Sequence, residues 1–170
     1  PGTALSCLDS IVAPIYKQWS PYSSNDIIFT GHLQASTCPR CGDIAFIGGP
    51  LCKQHLRESG LDIKQSCIPK SGLGLVATKY YKTGQRITPY TGEKLSKKEL
   101  LARYKDCLAP YTMQIKPNVY IDAALMRCPG AMANTSSGSD ANAEVRISPS
   151  DNQLWLYATQ NIRKKNEILL

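Results

Sequence analysis

Four residues with side chains that bind zinc lie in one short run of the sequence, CPRCGDIAFIGGPLCKQH. Cys38 and Cys41 form one C-x-x-C pair, and Cys52 and His55 form a second pair with the same spacing. Thiolate and imidazole are the usual ligands of tetrahedral Zn²⁺, and four protein ligands leave no open position for a reactive water. The spacing therefore predicts a structural zinc site. The site could serve only to fasten the N-terminal segment, or it could also help to position a peptide partner.

The other cysteines follow no spacing that is typical of a disulfide framework. The total of seven is odd, and Cys7, Cys67, Cys107 and Cys128 are scattered along the chain. Free thiols are typical of reducing compartments, and the first residues lack the basic region of a signal peptide. No apolar run approaches the roughly 18–20 residues of a membrane span. We therefore expect a nuclear or cytoplasmic protein that is neither secreted nor embedded in a membrane.

The net charge of +7 is unevenly distributed along the chain. Residues 1–60 carry four basic and four acidic side chains, whereas residues 61–170 carry 16 basic and 9 acidic ones. Basic clusters such as Lys97-Lys98 and 163–165 favour a weak contact with an anionic partner such as nucleic acid. Each cluster is equally typical of a solvated surface, and few aromatic residues lie among them, which argues against an RNA-binding module.

Hydrolytic machinery is not evident in the sequence. The chain has two histidines, His32 and His55, and His55 is already assigned to zinc. A Ser-His-Asp triad is therefore excluded, and no pair of carboxylates suggests acid–base hydrolysis. His32 reads as a surface residue, because its distance from Cys38 fits a zinc ligand poorly.

The hydrophobic pattern predicts mainly β structure with few helices. A helix is expected over residues 5–15, a strand over 27–29 and a brief helix over 56–60. From residue 61 the pattern changes to short strands at 63–68, 75–78, 86–90, 111–115, 119–122, 143–147 and 154–158. Ser96 and Glu99 form a capping box that predicts a helix over 96–104. We expect an N-terminal segment over 1–60 that contains the zinc module, and a second domain over 61–170.

Six stretches of residues 63–170, in order, resemble the motifs of the SET-domain family of protein-lysine methyltransferases. SGLGLVAT resembles K-G-x-G-x-x-A, PYTGE resembles Y-x-G-E, and IRKKNEIL resembles I-x-x-G-E-E-L. Tyr111 lies where the family has the tyrosine of Y-x-x-x-(I/L), YIDA resembles I-D-A, and the loop over 130–145 resembles R-F-x-N-H-S…N. The resemblance implies a SET fold of short strands and small sheets with a knot-like C-terminal loop.

The resemblance also implies an activity and a set of site residues. The activity is methyl transfer from S-adenosylmethionine to a lysine of a histone in chromatin or of another protein substrate. Tyr111 would line the lysine channel as the candidate catalytic residue, and Asp122 and Asn142 would have structural roles. The candidate cofactor-binding residues are Gly72, Leu73, Gly74, Tyr90, Asn134 and Thr135.

The sequence departs from the family pattern at three places. Thr135 replaces a histidine, the cysteine that follows it in many members is missing, and Lys165 replaces a glycine. The family's catalytic tyrosine comes a few residues after E-E-L, and this sequence stops at Leu170, so the second domain reads as truncated. An active enzyme would need such a tyrosine after Leu170. The alternatives are a SET-like binding module without catalysis and a zinc-containing nucleic-acid-binding protein.

Overall fold

The computed structural model describes residues 37–43, 45, 51–104, 109, 111–124, 127–136 and 138–170. The helix expected over 5–15 and the strand expected over 27–29 lie outside these residues, as does His32.

The described residues form two short α-helices, eight β-strands and a 3₁₀ turn. The helices are α1 (Lys53–Glu58) and α2 (Lys97–Tyr104), and the 3₁₀ turn covers Pro129–Met132. The strands are β1 (Leu61–Gln65), β2 (Leu73–Ala77), β3 (Arg86–Pro89), β4 (Glu93–Ser96), β5 (Thr112–Lys116), β6 (Val119–Asp122), β7 (Ala143–Ile147) and β8 (Leu154–Ala158).

The prediction of mainly β structure with few helices is confirmed, although several boundaries differ. The strands expected at 119–122, 143–147 and 154–158 have the predicted bounds. The capping box is also present, because Ser96 Oγ lies 3.3 Å from the Glu99 amide and the Ser96 amide donates to the Glu99 carboxylate over 2.7 Å. The strand predicted over 75–78 begins two residues too late. The prediction that Gly72, Leu73 and Gly74 lie between two strands was therefore partly wrong. Leu73 and Gly74 belong to β2, because β2 pairs with β1 as far as Leu73 opposite Gln65.

The strands form three small antiparallel sheets around one hydrophobic core. Their orders are β1-β2, β3-β8-β7 and β4-β6-β5. The largest fully buried apolar side chains are Tyr81, Leu56, Leu75, Leu156, Ile162 and Ile168. They come from the zinc module, the first two sheets and the C-terminal end of the chain, so burial of apolar surface holds these parts together.

The C-terminal segment 165–170 lies between β2 on one side and the loop 134–143 on the other. The Ile168 amide donates to the Leu75 carbonyl over 2.7 Å, and a β-bridge joins Val76 and Glu167. On the opposite side, the amides of Asn142 and Ala143 both donate to the Leu169 carbonyl over 2.9 Å. This crossing gives the knot-like arrangement that the family resemblance implies.

A tight turn over residues 163–166, at the start of this segment, contains a residue in an unfavourable conformation. The Asn166 amide donates to the Arg163 carbonyl over 3.1 Å, and Lys165 has a φ of +77°. A positive φ at the third position only is typical of a type II turn, where glycine is preferred. The glycine that the family places at this position therefore has a conformational reason, and Lys165 occupies it at an energetic cost.

Replacing Lys165 by glycine should stabilise the protein. We expect the free energy of unfolding to rise by about 0.5–1 kcal/mol, because the left-handed conformation costs glycine little. Lys164→Gly is the matched control, since Lys164 has no positive φ and glycine there only adds disorder to the unfolded chain. Urea denaturation measures both effects. A Lys165→Gly protein no more stable than the Lys164→Gly protein would contradict the turn assignment.

Candidate cofactor and metal sites

The structure brings the four predicted zinc ligands together with their donor atoms within 4.8 Å of one another. His55 Nδ1 lies 3.3 Å from Cys38 Sγ and 3.2 Å from Cys52 Sγ, and Cys41 Sγ lies 3.7 Å from Cys52 Sγ. A tetrahedral zinc ion with bonds of about 2.3 Å to sulfur and 2.0 Å to nitrogen separates two sulfurs by about 3.8 Å. The cluster therefore has the size of a zinc site, and its binding nitrogen would be Nδ1.

The other imidazole nitrogen and the thiols also suit a cation. His55 Nε2 lies 3.7 Å from the Glu58 carboxylate, the kind of partner that orients metal-bound histidines. Burial raises the pKa of Cys38, but backbone hydrogen bonds at Cys52 and Arg40 outweigh it and lower that pKa to about 6. A backbone hydrogen bond at Asp43 lowers the pKa of Cys41. Burial and acidic neighbours outweigh this bond and raise that pKa to about 12, because they disfavour a further anion. A divalent cation removes this conflict by stabilising the thiolates together.

The zinc cluster is joined directly to the first sheet through α1. Leu56 is 1% exposed and belongs to the hydrophobic core. Arg57 Nε donates over 2.8 Å to the carboxylate of Asp62, which is fully buried in β1. The hydroxyl of Tyr81 donates to the Gly60 carbonyl over 3.0 Å. Loss of the metal would therefore disturb packing beneath β1 and β2, as well as the zinc cluster itself.

Glu167 connects the C-terminal segment to the loop between β1 and β2. Its side chain is buried, with 8% exposed, and its carboxylate accepts hydrogen bonds from Ser66 Oγ over 2.8 Å and from the Cys67 amide over 2.7 Å. Burial raises the pKa of Glu167, but these hydrogen bonds and one from Asn134 outweigh it and lower the pKa below its usual value. Glu167 is therefore a buried anion that is held by neutral donors.

The same carboxylate orients Asn134, one of the predicted cofactor-binding residues. Asn134 Nδ2 donates to Glu167 Oε1 and to the Leu73 carbonyl, each over 3.0 Å. Gly74 is required at this point, because a Cβ there would lie 2.0 Å from Glu167 Oε1. Strand β2, which contains Leu73 and Gly74, therefore meets Asn134 at Glu167, although the two are about 60 residues apart in the sequence.

Asn142 closes the crossing on the other side, in keeping with its implied structural role. Its Nδ2 donates to the Glu167 carbonyl over 2.8 Å, and its Oδ1 accepts from the Leu169 amide over 3.0 Å. Gly72 has a φ of +68° and is buried, whereas Thr135 is exposed. Of the six predicted cofactor residues, the contacts described above join Leu73, Gly74 and Asn134 into one group.

Tyr90 and Tyr111 form a second group. Tyr90 is 5% exposed, and its hydroxyl donates to the Tyr111 carbonyl over 2.8 Å. The guanidinium of Arg127 lies 3.3 Å from the centroid of the Tyr111 ring. Arg127 is itself buried, with 5% exposed. One face of the Tyr111 ring is therefore covered by a cation.

Asp122 is not available for chemistry. It is 0% exposed, and its carboxylate accepts from Arg103, from the Tyr104 hydroxyl and from the Ala124 amide over 2.8–2.9 Å. These contacts fix α2 against β6, which agrees with the structural role that the resemblance implies.

A cleft of about 440 Å³ opens beside Glu167. Lys64, Cys67, Asn142 and Lys165 line it together with Glu167, whereas Asn134 and Tyr111 do not. The cleft therefore adjoins Glu167 without reaching Tyr111.

Sequence reasoning missed two residues of these groups, Glu167 and Arg127. Glu167 lies in the stretch that resembles E-E-L, so the motif gave a signal that went unused. No comparable signal indicated Arg127, because its contact with Tyr111 depends on how the chain folds around residues 111–127.

Comparison with protein-family models decides the family. The model of the SET domain matches residues 72–170, which is more than half of the chain. The chain belongs to the SET-domain family. A search of curated proteins gave no match.

Solved structures with a similar fold include the Polycomb Repressive Complex 2 of Chaetomium thermophilum. One is described as autoinhibited and bound to S-adenosylmethionine; it covers 65% of this chain with 19% identity and a TM-score of 0.56. Another, in complex with H3K27me3 and H3K27M, covers 65% with 21% identity and a TM-score of 0.57. This chain spans 14% of each of those chains, and the likeness establishes the SET fold. None of the described helices is long and apolar enough to cross a membrane.

Removal of the zinc ligands should destabilise the fold. Cys52→Ser should abolish binding of one zinc ion per chain and lower the Tm by about 10 °C or more, because a site fixed to the core is lost. Cys67→Ser is the control, since Cys67 is exposed and lies outside the cluster. Elemental analysis and thermal denaturation measure both properties. A Cys52→Ser protein that retains zinc and the parental Tm would refute the assignment.

The Glu167 carboxylate should contribute stability in a pH-dependent way. Because its pKa is lower in the folded state than the ordinary 4.5, this contribution is present above pH 4.5 and is lost as the pH falls through the folded-state value. Glu167→Gln should therefore be less stable than the parent at pH 7, with a difference that shrinks below about pH 4.5.

Denaturation by urea between pH 7 and pH 3.5 measures this difference, with the exposed Glu144→Gln as the control. Glu144 forms only a surface ion pair with Arg146, so its replacement should change stability by less than about 0.5 kcal/mol. A Glu167→Gln difference that is constant over the whole pH range would contradict an ionised, hydrogen-bonded carboxylate.

Proposed function

We propose that this protein is an S-adenosylmethionine-dependent protein-lysine N-methyltransferase. The proposal rests on one observation. Strand β2, the loop that contains Asn134 and the C-terminal segment 165–170 meet at Glu167. The SET family resemblance assigns cofactor binding to residues of the first two of these elements, Leu73, Gly74 and Asn134. Tyr111 would line the lysine channel, and the Tyr90 hydroxyl holds its backbone carbonyl in place.

Asn134 has one hydrogen-bonding atom left for the cofactor. Both N–H groups of its amide are engaged, by Leu73 and Glu167, so Oδ1 would accept from an N–H or O–H group of the cofactor. Gly72, Leu73 and Gly74 have small or backbone surfaces that allow close approach of the ligand. Thr135 would contribute its backbone. S-adenosylmethionine would supply an electrophilic methyl group on a sulfonium, and the negative charge of Glu167 would favour a positively charged ligand nearby.

Tyr111 and Arg127 would act on the substrate amine. A lysine amine must be neutral to attack, although its ordinary pKa is about 10.4. The guanidinium of Arg127 lies against Tyr111, so a lysine in this channel would have a buried cation nearby, which disfavours the protonated amine. The ring of Tyr111 would position that amine, and alignment with the methyl group would supply the remaining rate enhancement.

Histone lysine is the substrate class that we favour. The similar Polycomb Repressive Complex 2 structure contains H3K27me3 and H3K27M, which name forms of a histone lysine site. A nuclear protein that acts on chromatin follows from this proposal. A catalytically inactive SET-like module would keep the fold and the zinc cluster without methyl transfer.

Asn134→Ala should weaken cofactor binding. We expect the Kd for S-adenosylmethionine to rise by about tenfold, since one hydrogen bond to a charged or polar group is worth about 1.4 kcal/mol. Asn161→Ala is the matched control, because Asn161 is exposed and bonds only to Thr83. Isothermal titration calorimetry measures binding, and transfer of labelled methyl groups to histones and to a cell extract measures activity.

The two assays separate the alternatives. Cofactor binding together with labelled lysine supports the proposal. Methyl transfer is measured on a protein that includes the tyrosine expected after Leu170. Cofactor binding without transfer to any protein would then indicate an inactive module, and no cofactor binding by the parent would overturn the proposal.

A further inference from the structure

Two exposed segments, 78–82 and 161–165, lie side by side at the end of the crossing. Tyr81 and Ile162 exchange two backbone hydrogen bonds of 2.9 Å, and their side chains are 0% and 1% exposed. Because side chains alternate between the two faces of extended backbone, the residues next to this inward pair face outward. Tyr80 and Lys82 on one segment and Arg163 on the other are accordingly exposed.

The register of the two segments places their cations close together. The bridges of Val76 with Glu167 and of Tyr81 with Ile162 belong to the same antiparallel register. Next to the Tyr81–Ile162 bridge, Tyr80 lies opposite Arg163. Beyond that pair the second segment forms the turn over 163–166, and the Lys165 amide donates to the Ala77 carbonyl over 2.8 Å. We call this region the basic bridge surface; its residues are Lys79, Tyr80, Lys82, Arg163, Lys164 and Lys165, all of them exposed.

The positive charge of the basic bridge surface is not compensated. Residues 78–85 and 159–166 contain no acidic residue. Among the described residues, no carboxylate lies within 4.0 Å of its five cations, and Lys79 donates only to the Ser59 carbonyl. Elsewhere, Arg57, Arg86 and Arg146 each pair with a carboxylate. Five unpaired cations on one small surface create a strong local positive potential.

Two further observations point to a ligand at this surface. Lys165 holds a left-handed conformation that glycine would adopt at lower cost, so a cation stands at this position in spite of strain. Tyr80, at 48% exposed, is one of the few large hydrophobic side chains that face solvent among the described residues.

We propose that the basic bridge surface binds the phosphate backbone of a nucleic acid. The cations extend over about three residues of paired backbone, or roughly 10 Å. A nucleic-acid strand presents phosphates about 3.4 Å apart along the helix axis, so about three of them can be contacted. An exposed tyrosine among cations is suited to contact a sugar or a base, a feature that an acidic peptide would not use. This proposal is independent of methyl transfer.

The test is fluorescence anisotropy of a labelled 20-base-pair DNA duplex with the full 170-residue chain at several KCl concentrations. The parent should bind with a slope of log K against log salt of about −3, as three phosphate contacts require. Lys82→Gln/Arg163→Gln/Lys164→Gln should weaken binding at low salt by about tenfold or more and flatten the slope. Tyr80→Ala should weaken binding severalfold without changing the slope, because it removes no charge.

The matched control is Lys94→Gln/Lys97→Gln/Lys98→Gln, which removes the same charge from another exposed region. Its affinity should fall by less than about threefold. Equal losses in the two triple variants would indicate non-specific attraction and overturn the proposal, as would no detectable binding by the parent. If oligoglutamate of equal charge competes as well as unlabelled DNA, the partner is an acidic protein and the proposal is wrong. Circular dichroism and Tm values confirm that the variants are folded.

Discussion

The structure depends on the passage of residues 165–170 between β2 and the loop 134–143. Backbone hydrogen bonds on both sides hold this segment, and Glu167 adds a buried carboxylate at its centre. A buried anion is costly unless donors surround it, and here Ser66, Cys67 and Asn134 supply them. The crossing therefore forms as one unit, and three distant parts of the sequence meet in a single group.

The zinc cluster and the crossing act on the same pair of strands from different sides. Leu56 and Gly60 connect the cluster to β1 and Tyr81, whereas Glu167 and Ile168 connect the crossing to β2. Among the described residues the β1-β2 sheet has two strands, and a two-stranded sheet is marginally stable alone. The C-terminal segment, together with a metal ion held by the Cys/His cluster, would thus compensate for a small sheet.

Local patterns predicted a large part of this architecture. The strands over 119–122, 143–147 and 154–158 are flanked by turn residues, so their bounds followed directly. The spacing of Cys38, Cys41, Cys52 and His55 predicted a cluster that the structure brings together, and the motif order predicted the SET family, which is confirmed. The division at residue 60 and the roles of Tyr90, Tyr111 and Thr135 stay predictions. Periodicity could not indicate Glu167 or Arg127, because their partners Asn134 and Tyr111 are brought near only by tertiary folding.

Hydrogen exchange with and without S-adenosylmethionine tests most directly whether the crossing is the cofactor site. The amides of Cys67, Asn142, Ala143 and Ile168 are bonded within it, so they should exchange slowly in the free protein. The cofactor should protect residues 66–77, 133–143 and 165–170 further, and it should leave α2 and β5 unchanged. Protection confined to other residues, or no change on addition of the cofactor, would contradict the account.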